Sequence, residues 1–176
     1  RRAGGGDRGA AGQLAGDGIV GHDDDPSARA ALVGDHPLVR VVRPHLRGDV
    51  SAVGGAVRDA MLRRPPGPEL DLVVEGDAIA AARALGAALG ARVVTHPRFR
   101  TAVVRLDDGR HVDMVSARTE TYHAPGALPT VEEGTLADDL ARRDFTINAM
   151  AMGLSGARAG TRARCCPCQS RGWGRA

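Results

Sequence analysis

Apolar residues in the middle of the chain, from residue 27 to residue 152, fall into short runs separated by glycine and proline. Short valine-rich runs bounded by turn residues predict strands, whereas apolar residues at helical spacing predict helices. The predicted strands are residues 49–53, 69–76 and 92–96, and the predicted helices are residues 56–62 and 78–89, with a further short segment at 38–46. The pattern therefore predicts one globular domain built around a sheet.

Two β-branched apolar runs flank Asp108-Gly109, a dipeptide typical of a tight hairpin turn. Residues 101–117 are therefore predicted to form a β-hairpin. A loop containing proline and glycine is expected at residues 119–133. Residues 136–152 are predicted to be helical, in two pieces with a break near Asp144.

The two ends of the chain differ from the middle. Residues 1–26 are rich in Gly, Ala and Asp, and we expect a disordered tail. Residues 153–176 have no usable periodicity, and we expect a disordered tail or the product of a misread coding frame. Three cysteines in this tail, Cys165, Cys166 and Cys168, lack a second pair of ligands at usable spacing, so a zinc module is the weakest interpretation.

Charge and hydropathy narrow the class of protein only modestly. The chain of 176 residues carries a formal net charge of +3, and every basic residue apart from histidine is arginine. This balance permits a nucleotide or nucleic-acid partner without requiring one. No apolar run approaches the roughly 20 residues that span a bilayer, so we expect no membrane association and a cytoplasmic location. The first residue is Arg rather than Met, so we expect the chain to be a fragment.

Acidic residues on the predicted strands suggest a cation site. Glu69 and Asp71 flank Leu70, so both carboxylates lie on the outer face of the strand if Leu70 faces the core. Two carboxylates this close repel each other unless a cation lies between them, and Mg²⁺ prefers such ligands. Asp113 joins them if its strand is a neighbour, and the trio then suits metal-assisted phosphoryl transfer. The competing interpretation is a solvated strand face.

A glycine pair precedes one of the predicted helices. Gly54 and Gly55 lie between a strand and a helix, where backbone N–H groups can approach a phosphate without hindrance from Cβ atoms. Arg58, one helical turn further on, can reach the same phosphates. A tight turn without a ligand and a surface arginine paired with Asp59 are the alternatives. The dinucleotide-binding pattern G-x-G-x-x-G is not present here.

Four motifs now occur in a recognisable order: VGGAVRD, ELDLVVEGDA, HVDMVSARTE and DDLARRDFTINAMAM. Together they resemble the head domain of the class II tRNA nucleotidyltransferases (CCA-adding enzymes) and bacterial poly(A) polymerases, in the polymerase-beta-like nucleotidyltransferase superfamily. The resemblance covers residues 38–152, and we assign residues 27–152 to this domain. It implies an α+β fold with a mixed five-stranded sheet flanked by helices.

The resemblance also implies an activity and a set of site residues. It implies Mg²⁺-dependent transfer of a nucleoside monophosphate from CTP or ATP to the 3′ end of RNA, typically tRNA, with release of pyrophosphate. The implied metal ligands are Glu69 and Asp71, and Asp113 is the third catalytic acid. The implied nucleotide-binding residues are Gly54, Gly55, Arg58, Arg143 and Asp144, and Arg142 would help to orient that last segment. Asn148 is expected to brace the backbone.

Two departures from the family pattern matter. The family usually has Asp-x-Asp, whereas this chain has Glu69-Leu70-Asp71. A change of about 1 Å in ligand placement can lower a rate by about 100-fold. The family also continues into neck, body and tail regions, and nothing recognisable follows Met152. The alternative function is therefore a nucleotide-binding fragment with little or no turnover.

Overall fold

The structure, a computed structural model, describes residues 31–121, 130–143 and 146–160. The predicted N-terminal tail, the three cysteines and Asp144 lie outside these residues. Within them, the α-helices after the helical residues 31–34 are α1 (Pro37–Val42), α2 (Gly55–Met61), α3 (Ala78–Leu89) and α4 (Leu136–Ala141). The strands are β1 (Val50–Val53), β2 (Glu69–Val74), β3 (Arg92–His96), β4 (Thr101–Arg105), β5 (His111–Ser116), β6 (Arg118–Thr121), β7 (Thr130–Glu133) and β8 (Ala151–Ser155). Of the helices described, none combines the length and apolar character needed to cross a lipid bilayer.

The main sheet has six strands in the order β3-β4-β5-β2-β1-β8. The central pair, β2 and β5, is parallel, and the other neighbouring strands are antiparallel. The predicted mixed sheet and α+β class are confirmed, but the sheet contains one strand more than the five expected. The additional strand is β8, which pairs with the outer edge of β1.

Local sequence explains the best-predicted elements. Asp77 caps the start of α3, where its Oδ1 accepts hydrogen bonds from the amides of Ile79 and Ala80. Gly90 ends the helix in the left-handed conformation, with φ of 64°. In β2, exposed and buried residues alternate at the start of the strand, as expected when one sheet face covers a core. The capping signals explain why α3 has the bounds predicted from the sequence, and the alternation explains the predicted start of β2 at Glu69.

The two faces of the sheet are used differently. One face packs against α1 and α3 in the main core, whose largest fully buried members include Leu38, Leu70, Leu72, Leu85 and Met114. The opposite face carries a smaller cluster in which Leu136 and Leu140 of α4 pack with Val53, Val73, Ala117 and Ala151. This second cluster covers the β1, β2 and β8 side of that face. The β4 and β5 side is left lining an open cleft.

The structure corrects two predictions made for the second half of the chain. The expected loop at residues 119–133 overlaps β6 and includes β7, and these two strands pair with each other as a separate antiparallel ribbon. The expected helix over residues 136–152 ends with α4, and a 3₁₀ turn at Thr146–Asn148 leads into β8. A continuous apolar run does not distinguish a buried strand from a buried helix by periodicity alone. The boundary predicted at residue 152 falls inside β8.

We predict that Leu154→Ala will destabilise the protein by about 2–5 kcal/mol, because the Leu154 side chain is buried in the main core. Leu62→Ala provides the matched control, since Leu62 is 51% exposed and its change should stay within about 0.5 kcal/mol. Urea unfolding followed by circular dichroism measures both. Equal midpoints for Leu154→Ala and the parent would instead support the tail that the sequence suggested beyond residue 152.

Candidate active site

Parallel pairing of β2 with β5 sets the acidic residues side by side. Asp71 is the register partner of Asp113, and Glu69 is the register partner of His111. Leu70 is buried between Glu69 and Asp71, so the two carboxylates project from the opposite, outer face as expected. The His111 Nε2 atom lies 3.6 Å from Glu69 Oε1 and 3.8 Å from Asp113 Oδ2. The three predicted acids therefore share one face, with His111 between Glu69 and Asp113.

The surroundings of Asp71 disfavour the charged form of its carboxyl group. Burial raises the pKa of its carboxyl group, and the negative charge of Asp113 raises that pKa further, as does Glu69 to a smaller extent. Arg143 and His111 oppose this rise. The charged form of Asp71 is thus held in a place that penalises it, beside a second acid. A bound cation would offset both penalties.

Gly54 borders the site next to Asp71 and Arg143. Its φ of 68° lies in the region that favours glycine, and a Cβ atom added to it would lie 3.6 Å from Asp71 Oδ2 and 3.4 Å from Arg143 Nη1. The Gly54 amide donates to the Met150 carbonyl at 3.1 Å, so it is already used. Helix α2 has no side-chain cap at its N-terminus. Its first turn, which begins at Gly55, therefore has amide groups that no capping side chain satisfies.

Arg143 is held in the cleft by a buried carboxylate that the sequence analysis missed. Asp139 is completely buried, and its Oδ2 accepts hydrogen bonds from Arg143 Nε at 3.1 Å and Nη2 at 3.0 Å. Its Oδ1 accepts from Arg142 Nε at 3.1 Å. Arg143 also lines the cleft together with Asp71 and Asp113. Asp139 of α4 therefore sets the direction of Arg143.

Arg58 is engaged by neighbouring side chains. Its Nε and Nη2 atoms donate to the two carboxylate oxygens of Asp59, each at 2.9 Å, and its Nη1 atom donates to Asn148 Oδ1 at 2.9 Å. The pairing with Asp59 was the alternative interpretation of this arginine. A Cβ atom added to Gly55 would lie 3.6 Å from Arg58 Nη2, so Arg58 does border the glycine turn. Its contact with a phosphate stays a prediction, as does the implied role of Asp144, which is not among the described residues.

Two side chains of the site were not singled out from the sequence. Asp139 could have been found, because it precedes Arg142 and Arg143 by three and four residues, the spacing of neighbours on a helix. His111 could not, because its contact with Glu69 depends on which strands pair. Asn148 was expected to brace the backbone, whereas its side chain accepts a hydrogen bond from Arg58.

The donor atoms present suit Mg²⁺. Among the described residues, no set of three His, Cys, Asp or Glu side chains is grouped closely enough to hold a metal unaided. Mg²⁺ commonly takes one or two carboxylates and completes its octahedron with water and substrate phosphates. Glu69, Asp71 and Asp113 supply carboxylates of that kind on one face of the sheet, and Glu69, at the start of β2, is 66% exposed.

The chain belongs to the family described as the poly A polymerase head domain, which matches residues 50–159. The family indicated by the motifs is therefore confirmed. The match includes β8, in agreement with a domain that continues past residue 152.

Related proteins include tRNA nucleotidyltransferases. The chain is 51% identical over 109 residues to the A-adding tRNA nucleotidyltransferase of Halalkalibacterium halodurans, a match that covers 62% of this chain and 25% of that protein. It is 48% identical over 106 residues to the CC-adding tRNA nucleotidyltransferase of Deinococcus radiodurans, covering 60% of this chain and 28% of that protein.

Solved structures show the same likeness. The apo form II structure of a CCA-adding enzyme matches with a TM-score of 0.60 and 36% identity, over 77% of this chain and 31% of that chain. A tRNA nucleotidyltransferase complexed with a primer tRNA and an incoming ATP analogue matches with a TM-score of 0.54 and 35% identity, over 65% of this chain and 30% of that chain. The chain thus spans about a quarter to a third of the length of these relatives.

We predict that Asp139→Ala will lower the free energy of unfolding by about 3–5 kcal/mol, because it removes the buried carboxylate that accepts hydrogen bonds from both Arg142 and Arg143. Asp107→Ala, in an exposed turn, should change it by no more than about 0.5 kcal/mol. Guanidinium unfolding gives both values. A small effect of Asp139→Ala would show that the guanidinium groups find other partners at no cost.

We also predict that Asp71→Asn will raise the Tm of the metal-free protein at neutral pH. The pKa of Asp71 is raised in the folded state, so its ionised form costs stability once the pH exceeds the unfolded pKa of about 4. The gain from Asn should therefore be absent in acid, grow as the pH rises through the folded pKa and then level off. Differential scanning fluorimetry in EDTA across pH measures it. A lower Tm for Asp71→Asn at neutral pH would contradict the explanation that burial raises the pKa of Asp71.

Proposed function

We propose that this chain provides the catalytic centre for template-independent transfer of a nucleoside monophosphate from ATP or CTP to the 3′ end of RNA, with tRNA as the expected substrate. The observation that carries the proposal is the register of Asp71 with Asp113, next to Gly54 and Arg143. Membership of the head-domain family and the names of its tRNA nucleotidyltransferase relatives support it. A cytoplasmic location, where tRNA is matured, is part of the same proposal.

Different residues of the chain act on the two substrates, the RNA 3′ end and the nucleoside triphosphate. The RNA 3′-hydroxyl oxygen forms a bond to the α-phosphorus, and the bond from that phosphorus to the β-phosphate oxygen breaks, releasing pyrophosphate. We propose that Asp113, whose side chain is 45% exposed, accepts a hydrogen bond from the incoming hydroxyl and takes up its proton as the new bond forms. Arg143 and the amides of the first turn of α2 compensate the charge of the triphosphate.

We propose Glu69 and Asp71 as the residues that hold Mg²⁺, with Asp113 as the third acid. Mg²⁺ bound there would supply Lewis-acid polarisation of the phosphate under attack. Glu69 retains the carboxylate of the usual Asp and adds one methylene group, so its reach rather than its charge differs. The basic group next to Glu69 is His111, whose Nε2 atom lies 3.6 Å from Glu69 Oε1.

A second candidate function is nucleotide binding without turnover. It is favoured by Glu69, which stands where the family usually has Asp and so changes the reach of one proposed metal ligand. Incubation of the full chain with Mg²⁺, labelled ATP or CTP, and a tRNA that lacks its 3′-terminal nucleotides separates the two. Elongated tRNA supports transfer, whereas nucleotide binding with no elongation supports the second candidate.

If the chain elongates tRNA, we predict that Asp71→Ala will lower the rate by at least about 100-fold, because loss of a metal ligand costs at least as much as its misplacement. Asp35→Ala is the matched control, since this exposed aspartate pairs with Arg40 and does not line the cleft. Single-turnover incorporation of labelled AMP and CMP measures the rates. Undiminished incorporation by a folded Asp71→Ala protein would refute the assigned site.

A further inference from the structure

A row of basic side chains crosses the open face of the sheet beside the acids. In the registers of adjacent strands, Arg92 of β3 is paired with Arg105 of β4, Arg105 with His111 of β5, and His111 with Glu69 of β2. Directly paired residues project from the same face of a sheet. Arg92 and Arg105 therefore extend outward on the face that carries Glu69, Asp71 and Asp113.

The pairing of Arg92 with Arg105 is unfavourable in the protein alone. Like charges placed directly opposite each other on adjacent strands are destabilising. Both arginines are exposed, and among the residues that the structure describes no carboxylate lies within ion-pairing distance of either one. Neighbouring arginines differ in this respect, because Arg100 pairs with Glu133 and Arg110 with Asp108. An anion that binds between Arg92 and Arg105 would relieve their repulsion.

The position of this row indicates which substrate it serves. Strands are about 4.8 Å apart, so β4 and β3 lie about 10 and 14 Å from β2. Gly54, one of the proposed triphosphate contacts, lies on the other side of Asp71, at the end of β1. The row begins two residues along β5 from Asp113, the acid proposed to receive the hydroxyl. The basic row and the glycine turn thus flank the acids from opposite sides.

We propose that Arg92 and Arg105 form a phosphate-binding surface for the single-stranded 3′ end of the RNA substrate. This inference rests on the proposed function and adds to it the direction from which the RNA enters, across β3 and β4. The guanidinium groups neutralise successive backbone phosphates and do not read the bases. Arg92 and Arg105 are positioning residues, since neither reaches the acids.

The test is RNA binding by the full chain without nucleotide or added metal, which separates binding from catalysis. The probe is a short single-stranded RNA with a 5′ fluorescein label, titrated by fluorescence anisotropy at several salt concentrations between about 50 and 200 mM. The variants are Arg92→Gln/Arg105→Gln and the control Arg83→Gln. Arg83 is exposed on α3, which packs on the opposite face of the sheet.

The double variant should weaken binding and lower the slope of log K against log salt by about 1.4, since each phosphate contact on a single strand contributes about 0.7. Arg83→Gln should leave both quantities unchanged. Binding of ATP should be the same in all three proteins, because the proposed triphosphate contacts are elsewhere.

Three results would overturn the inference: no measurable RNA binding by the parent chain, an unchanged slope in the double variant, or an equal loss with Arg83→Gln. An unchanged slope together with new self-association of the double variant would assign the arginines to protection of the edge strand β3. None of these results bears on the proposed transfer reaction, which the incorporation assay tests separately. Loss of incorporation in Asp71→Ala with normal RNA binding would, in turn, leave the RNA surface intact.

Discussion

The candidate site depends on the parallel pairing of two strands that are distant in sequence. β2 and β5 are the only neighbours in the main sheet, among the described strands, that run in the same direction. Their register sets Asp71 opposite Asp113, and a shift of one residue would turn one of the two carboxylates toward the core. The buried Leu70, Leu72, Val112 and Met114 on the other face prevent such a shift. Packing of the core thus fixes the geometry of the acids.

A second constraint acts from the opposite side of the cleft. Helix α4 closes half of the sheet face with two leucines and, in the same turn, buries the Asp139 carboxylate. A buried charge requires partners, and here both partners are arginines from the end of the same helix. One of them, Arg143, reaches the glycine turn. Helix α4, which completes the second cluster, therefore also holds the positively charged Arg143 side chain at the site.

The sequence predicted the first half of the fold well because its signals are local. The cap at Asp77, the stop at Gly90 and the turn at Asp108-Gly109 each act within a few residues, and α3, β4 and β5 followed from them. β8 was missed because its residues are buried on both sides and show no alternation, with Met152 and Leu154 in one cluster and Ala151 in the other. Burial of that kind depends on β1 and α4, which a local pattern does not contain.

The same distinction applies to the site. The motif resemblance singled out Gly54, Asp71, Asp113 and Arg143. In the structure, these four residues lie around one cleft. Pairings between distant segments, such as His111 with Glu69, required the strand order. The contact of Arg58 with Asn148, 90 residues apart, is of the same kind. The roles of these residues in transfer remain predictions.

The unequal use of the two sheet faces has an evolutionary consequence. Side chains on the inner face of β4 are locked into the main core, whereas its outward residues Thr101 and Val103 line the open cleft. Outward positions can therefore drift in sequence at low thermodynamic risk. Divergence of substrate preference within such a lineage can proceed one strand face at a time, while the scaffold beneath is inherited unchanged.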